Sequence, residues 1–241
     1  MNTLESKTVA DLVTENIQTA HIFKKYGIDF CCGGGINVKL AAEKAKIRYI
    51  DLEKELLDVE NSTGRTNNYN SWKLDFLTDH IINFHHAYVQ ENIPLIYQYA
   101  LRVVRVHGSN YPVLLQVQRL FSEISGELRA HLKKEEENLF PFIKNMVKAQ
   151  EEGNDFSPPD FGTVDNPIKM METEHEEAGG ILRQISALTN HYTPPQGACN
   201  TFRAFYAKLE EFEQDLHQHV HLENNILFPK ALKLEKQLSV L

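Results

Sequence analysis

His131-Leu-Lys-Lys-Glu135-Glu-Glu-Asn138-Leu-Phe-Pro141 and His219-Val-His-Leu-Glu223-Asn-Asn225-Ile-Leu-Phe-Pro229 are two copies of one phrase. Each sets a His four residues before a Glu and follows with Leu-Phe-Pro at the same offset. On a helix, residues four apart share a face, one turn from each other. An imidazole and a carboxylate so placed, facing inward, form half of a metal site. Two halves read across a helical bundle would form a whole one.

The surrounding sequence has the pattern of such a bundle. Leu120, Ile124 and Leu128 lead to His131 and Glu135, and Leu139 and Phe142 follow. Phe205, Leu209, Phe212 and Leu216 lead to His219 and Glu223, and Ile226 follows, leaving His217 and His221 on another face. Ile168, Met171, Leu182 and Ile185 put His175 on a third apolar stripe. These patterns predict long helices over about 74–107, 112–146, 167–191 and 198–234. Pro167 suits a first turn, and kinks are expected at Pro141 and Pro229. Pro158-Pro159 and Gly162 mark a loop between the second and third helices. No stretch alternates as a strand does.

The repeat is larger than the phrase. His131 and His219 stand 88 residues apart, as do Glu135 and Glu223. His175 has its counterpart in the first helix at His85 or His86, which periodicity alone does not separate. The chain therefore reads as two helical hairpins, each giving a His from its first helix and His-x-x-x-Glu from its second. The expected fold is all-α, an up-and-down four-helix bundle.

Upstream, Thr8-Val-Ala-Asp11 can cap a short helix, and Gly27 can end the next. Asp29-Phe-Cys31-Cys32-Gly-Gly-Gly35 must be a turn, because three consecutive Gly favour open backbone. Two more short helices are expected before a stretch rich in Asn, Ser, Thr and Gly. The predicted division is a small helical module at 1–60, a linker at 61–72 and the bundle at 73–236.

Composition narrows the function. A formal charge of −8 argues against a sequence-independent nucleic-acid binder and against docking on an anionic membrane. No apolar run is long enough to span a bilayer. Three Cys, two of them adjacent, make no disulfide framework, and the first residues lack a secretion signal, so a reducing cytoplasmic setting is expected. Eleven His are many for a chain of 241 residues and point to metal.

A single His on an apolar face is usually a core residue with a hydrogen-bond partner. Two inward carboxylates are another matter, because burying them without a cation is severely penalised. The stripes carry no Lys or Arg to pair them. Four imidazoles and two carboxylates suit two ions of iron, manganese or zinc, and disfavour copper(I).

The two phrases resemble the hemerythrin-like di-iron domain. Taken with Asp29-Phe-Cys31-Cys32-Gly33-Gly34 and the stretch Met171-Glu-Thr-Glu174-His175-Glu-Glu177-Ala-Gly179, they resemble the repair-of-iron-centres family of the YtfE/ScdA type over nearly the whole chain. The resemblance implies two iron ions in an oxo- or hydroxo-bridged centre. The ligands carried over are His86, His131, His175 and His219 with bridging Glu135 and Glu223, so it favours His86 over His85. It also implies a homodimer that repairs iron–sulfur proteins damaged under nitrosative and oxidative stress, by donating iron. A nitric-oxide-reducing di-iron enzyme is the alternative, and an oxygen-binding or oxygen-sensing hemerythrin a weaker one. Against the latter, oxygen carriers have a further His one turn after the third-helix ligand, where this chain has Gly179, and His-x-x-x-x-Asp in the last helix, where it has His-x-x-x-Glu.

Cys31 and Cys32 are expected to serve in redox chemistry or iron delivery, since adjacent Cys form only a strained disulfide. Cys199 is expected to be structural. Glu127 and Glu174 are candidates to orient ligand imidazoles.

Overall fold

The structure, a computed structural model, describes residues 4–61, 68–153 and 162–239. The expected linker falls outside these over 62–67, as does the expected Pro158-Pro159 loop over 154–161. The described chain is helical, and the single β-bridge among the described residues joins Thr8 and Asn37. In chain order the helices are α1 (Val9–Glu15), α2 (Ala20–Lys25), α3 (Val38–Lys44), α4 (Tyr49–Asn61), α5 (Leu74–His80), α6 (Ala87–His107), α7 (Val113–Lys134), α8 (Phe140–Glu152), α9 (Asp165–Leu188), α10 (Asn200–Leu222) and α11 (Phe228–Leu238).

Three of the expected long helices are each made of two of these, joined by a π-helical turn. The turns are Ile81–His86, Glu135–Leu139 and Glu223–Leu227. The last two lie just before Pro141 and Pro229, which have no N–H to continue an α-helical ladder. The chain widens there instead. Phe140 N–H donates to the Glu135 carbonyl, and Phe228 N–H to that of Glu223. A π-turn inserts one extra residue, so it re-aims the side chains on either side of it. The third helix starts at Asp165, two residues before Pro167, which is still early enough for its missing N–H to cost nothing.

The chain forms two compact units. One comprises Met1–Leu77 with His217–Leu241, the other Thr78–Leu216, so the boundaries fall inside α5 and α10. In the first unit, the capping box expected at Thr8 is present. Its hydroxyl accepts from the Asp11 N–H, and the Asp11 carboxylate accepts from the Thr8 N–H. Gly27 follows α2 with a left-handed φ of 66°, as a helix-ending Gly should. Val9, Phe23, Val38, Leu52 and Leu56 fill this unit's core. Lys230 on α11 ties down the segment before α5 by donating to the carbonyls of Asn70 and Trp72 at 3.1 and 2.6 Å.

In the second unit α7 packs on α6 and α9, and the N-terminal part of α10 meets α6 and α7. Phe212 meets Phe121 edge-on at 5.6 Å, and Phe202 meets Tyr111 likewise. Tyr88 OH donates to Glu211 at 2.9 Å, and His85 Nδ1 lies 2.9 Å from Asp215. Apolar residues line the interior: Ile93 and Ile96 from α6, Phe121 and Ile124 from α7, Leu182 and Ile185 from α9, Phe205 and Leu209 from α10. No helix is long and apolar enough to cross a membrane, among the described residues.

Candidate metal centre

α7 carries the centre of the second unit. His131 lies in its last turn, and Glu135 opens the π-turn that follows. His175 comes from α9 and His86 from the end of the first π-turn. All four are buried, Glu135 and His86 completely. Glu135 Oε2 lies 3.4 Å from both His86 Nε2 and His131 Nε2, yet neither oxygen of this carboxylate accepts a hydrogen bond from the described residues. The Nε2 atoms of His131 and His175 are 3.0 Å apart. Two donors held about 2.1 Å from one ion at a right angle sit about 3 Å apart. His131, Glu135 and His175 each offer a ligand atom within 4.8 Å of the others, and His86 joins Glu135 in a separate group.

Behind the imidazoles stand two carboxylates. His86 Nδ1 faces Glu136 Oε1 at 2.8 Å, and His131 Nδ1 faces Glu174 Oε2 at 2.8 Å. Each turns the ring's Nε2 toward Glu135, which is how metal-binding His are ordinarily held. Burial pushes the Glu174 carboxyl up, but Lys134 and His131 outweigh it and hold Glu174 below the usual carboxylate value. Glu174 thus meets the kind of imidazole it was a candidate to orient. Glu127 does not: it is exposed, and its carboxyl is raised by partial burial and by Glu123, Glu177 and Glu174 around it. Glu136 was not foreseen. Its place beside Glu135 in a glutamate run hid that the π-turn brings both to the same ring.

The first unit holds the other half of the repeat. His219 Nε2 and Glu223 Oε1 lie 2.9 Å apart, both fully buried, with Glu223 opening its own π-turn. His221 is buried as well, although its helical face looked separate from the apolar stripe. The reason is a second layer: Phe30 of the cysteine turn packs edge-on at 6.1 Å, and Thr14 Oγ1 lies 3.5 Å from its Nε2. Burial pushes this imidazole down to about 4, so it is neutral near pH 7.

The cysteine turn sits in the same unit. Asp29 Oδ1 accepts from the N–H groups of Cys31 and Cys32 at 2.9 and 3.1 Å, and from the Cys31 thiol at 3.2 Å. Asn225 donates to the Cys31 carbonyl at 3.1 Å. Cys31 is buried and Cys32 exposed, with sulfurs 3.8 Å apart and no disulfide. The adjacent Cys32 thiol, burial and the Asp29 carboxylate all push Cys31 well above the usual thiol value. Burial alone would raise Asp29, but the thiol and backbone donors hold it below its usual value. An Asp four residues before a run of three Gly is the signal that could have identified this role. Cys199 is exposed just before α10, 3.2 Å from His107 Nε2.

Comparison with known proteins shows the family. The hemerythrin HHE cation-binding domain matches residues 77–231, which include all six expected ligands. ScdA_N, a domain of unknown function (DUF542), matches residues 5–60. A probable iron-sulfur cluster repair protein of Haemophilus influenzae is 38% identical over 88% of this chain and 90% of its own length. The iron-sulfur cluster repair protein YtfE of Yersinia pseudotuberculosis is 36% identical over 90% of this chain and 93% of its own. The chain belongs to the YtfE/ScdA family of iron–sulfur cluster repair proteins. ScdA of Staphylococcus haemolyticus, 32% identical over 92% of this chain and 96% of its own, extends the likeness to both names of the family. A hemerythrin-like domain fits a di-iron protein, and a buried carboxylate without hydrogen bonds beside three imidazoles fits the iron such a domain binds.

Proposed function

We propose that this protein repairs iron–sulfur clusters damaged by nitrosative and oxidative stress, by donating iron from a centre of two ions. His86, His131, His175 and His219 would hold the ions, with Glu135 and Glu223 as the carboxylates among them. One observation carries the reading: Glu135 is fully buried, accepts no hydrogen bond and faces two Nε2 atoms. A carboxylate left so would be penalised by several kcal/mol, and a cation there removes that penalty (about 3–5 kcal/mol when a buried pair is broken). The internal repeat and the span of the hemerythrin match support the same role for His219 and Glu223.

Iron held by these residues would supply the ions passed to a client and a site for nitric oxide or oxygen. Glu136 and Glu174 fix the tautomers of His86 and His131 by accepting from Nδ1. With Gly179 where a further imidazole could stand, fewer protein ligands hold the metal, which favours release. Cys31 and Cys32 assist delivery, Cys32 as the exposed thiol that meets the client and Cys31 as the buried one behind it. The protein acts in the cytoplasm as a homodimer, on iron–sulfur proteins, with the cysteine module at 1–60 joined by the 61–72 linker to the bundle at 73–236.

The test mixes protein loaded with ⁵⁷Fe with an iron–sulfur hydratase whose cluster has been degraded by nitric oxide. Hydratase activity should return with ⁵⁷Fe in its cluster. Cys31→Ala/Cys32→Ala should slow the return at unchanged iron content. Turnover of nitric oxide with no return of hydratase activity would sink the donor reading in favour of a reductase.

A further inference from the structure

The two imidazoles backed by carboxylates are not backed equally. Glu174, behind His131, also pairs with Lys134. Glu136, behind His86, meets only the neutral amide of Gln90 at 3.5 Å, and no Lys or Arg pairs with it among the described residues. Solvent does not account for the contrast, because the two carboxylate side chains are similarly exposed, at 32% and 25%. The hydrogen bonds to Nδ1 are also equal in length, at 2.8 Å each. What differs is the charge left for the ring. A carboxylate that draws on Nδ1–H makes the imidazole a stronger donor at Nε2. An ammonium on the same carboxylate takes part of that charge away and sets a positive charge near the bound ion.

We propose that the centre is built unequally, with Lys134 and Glu174 making the iron on His131 and His175 the one released first, and Glu136 making the iron on His86 the one retained. The proposal rests on the di-iron reading above and deepens it: it assigns the cargo to one of the two positions. Lys134, Glu174 and Glu136 are positioning residues, since each acts through an imidazole or through the carboxylate behind it. Lys134 lies one residue before Glu135 and one turn before Asn138, in a run of charges that includes the exposed Lys133 and Glu137, so sequence alone gives it no special place.

The experiment follows iron release from the full chain loaded with two irons, to a ferrous chelator under anaerobic reducing conditions. Wild type should release in two phases of one iron each. Lys134→Met should slow the fast phase about tenfold and leave the slow phase alone, and Lys134→Arg should restore the fast phase. Glu136→Gln should speed the slow phase about tenfold and leave the fast phase alone. A merely structural role would move both phases together. Release of both irons in one phase overturns the inference, as does action of Lys134→Met and Glu136→Gln on the same phase, or no effect of either. Iron content measured before the chelator is added separates the two levels: a wild-type chain that does not hold two irons defeats the di-iron reading itself. Helical circular dichroism of each variant confirms that release is read from folded protein. Should Lys134→Met not fold, the Glu136→Gln arm alone decides, by whether only the slow phase moves.

Discussion

Glu135 shows most directly what a single residue does here. A buried carboxylate that accepts no hydrogen bond has no reason to be kept for stability. Glu135→Leu should therefore stabilise the metal-free protein, by about 2 kcal/mol in urea unfolding, while abolishing iron uptake. A destabilised metal-free variant would show that the carboxylate has a structural partner instead. Asp29 is the opposite case, a carboxylate whose hydrogen bonds hold a turn. Its pKa is held below the 3.8 of an ordinary Asp, so its charged form stabilises the fold. That stabilisation is full above the unfolded value and is lost as pH falls through the depressed folded one. Asp29→Asn should cost about 1 kcal/mol at pH 7, and the gap from wild type should close in acid. A gap that stays constant with pH would rule out the charge as its cause. Of these residues the repeat exposed Glu135 in the sequence, since a Glu recurring with its His on two apolar stripes cannot be a surface pair. Glu136 and Lys134 were hidden, because they belong to an ordinary charged run until the π-turn and α9 give them neighbours.

At the scale of elements, the helices were legible and the turns inside them were not. Apolar periodicity located all four long helices to within a few residues, because such stripes must be buried whatever the local detail. Two of the three π-turns came from a cause the periodicity does not carry: Pro141 and Pro229 remove an N–H, and the preceding turn widens to use the donor that remains. Both widened turns open at the Glu of the repeated phrase, so the proline in each copy acts on the geometry of the carboxylate six residues before it. The cysteine turn gives the sharper test of an element. A Cβ at Gly34 would lie 2.6 Å from the Phe30 carbonyl and 3.0 Å from Ala10, whereas one at Gly35 would meet nothing within 4 Å. The Gly34 carbonyl also accepts from the Ala10 N–H at 2.9 Å, which docks α1 on the turn. Gly34→Ala should cost about 2 kcal/mol in urea unfolding, and Gly35→Ala far less. Equal effects would mean that close approach is not what the glycines serve.

For the molecule as a whole, metal and stability are linked. Ions that bind only the folded chain raise its melting temperature, and their removal restores the charge repulsion and desolvation of buried carboxylates. Calorimetry of iron-loaded and chelator-treated protein should differ by about 10 °C. Coincident melting curves would show that iron is not bound within the fold. The amino-acid sequence by itself determined the all-α class, the long helices, the repeat and the family, because all of these follow from which residues recur at which spacing. Only the tertiary structure decided that Glu136 stands behind His86, that Cys31 is buried and Cys32 exposed, and that Lys134 shares the carboxylate behind His131. Spacing along one helix specifies a face to within a turn. Which atom on that face meets which partner depends on the neighbouring helix and on the extra residue in each π-turn, and neither is written in the periodicity of a single segment.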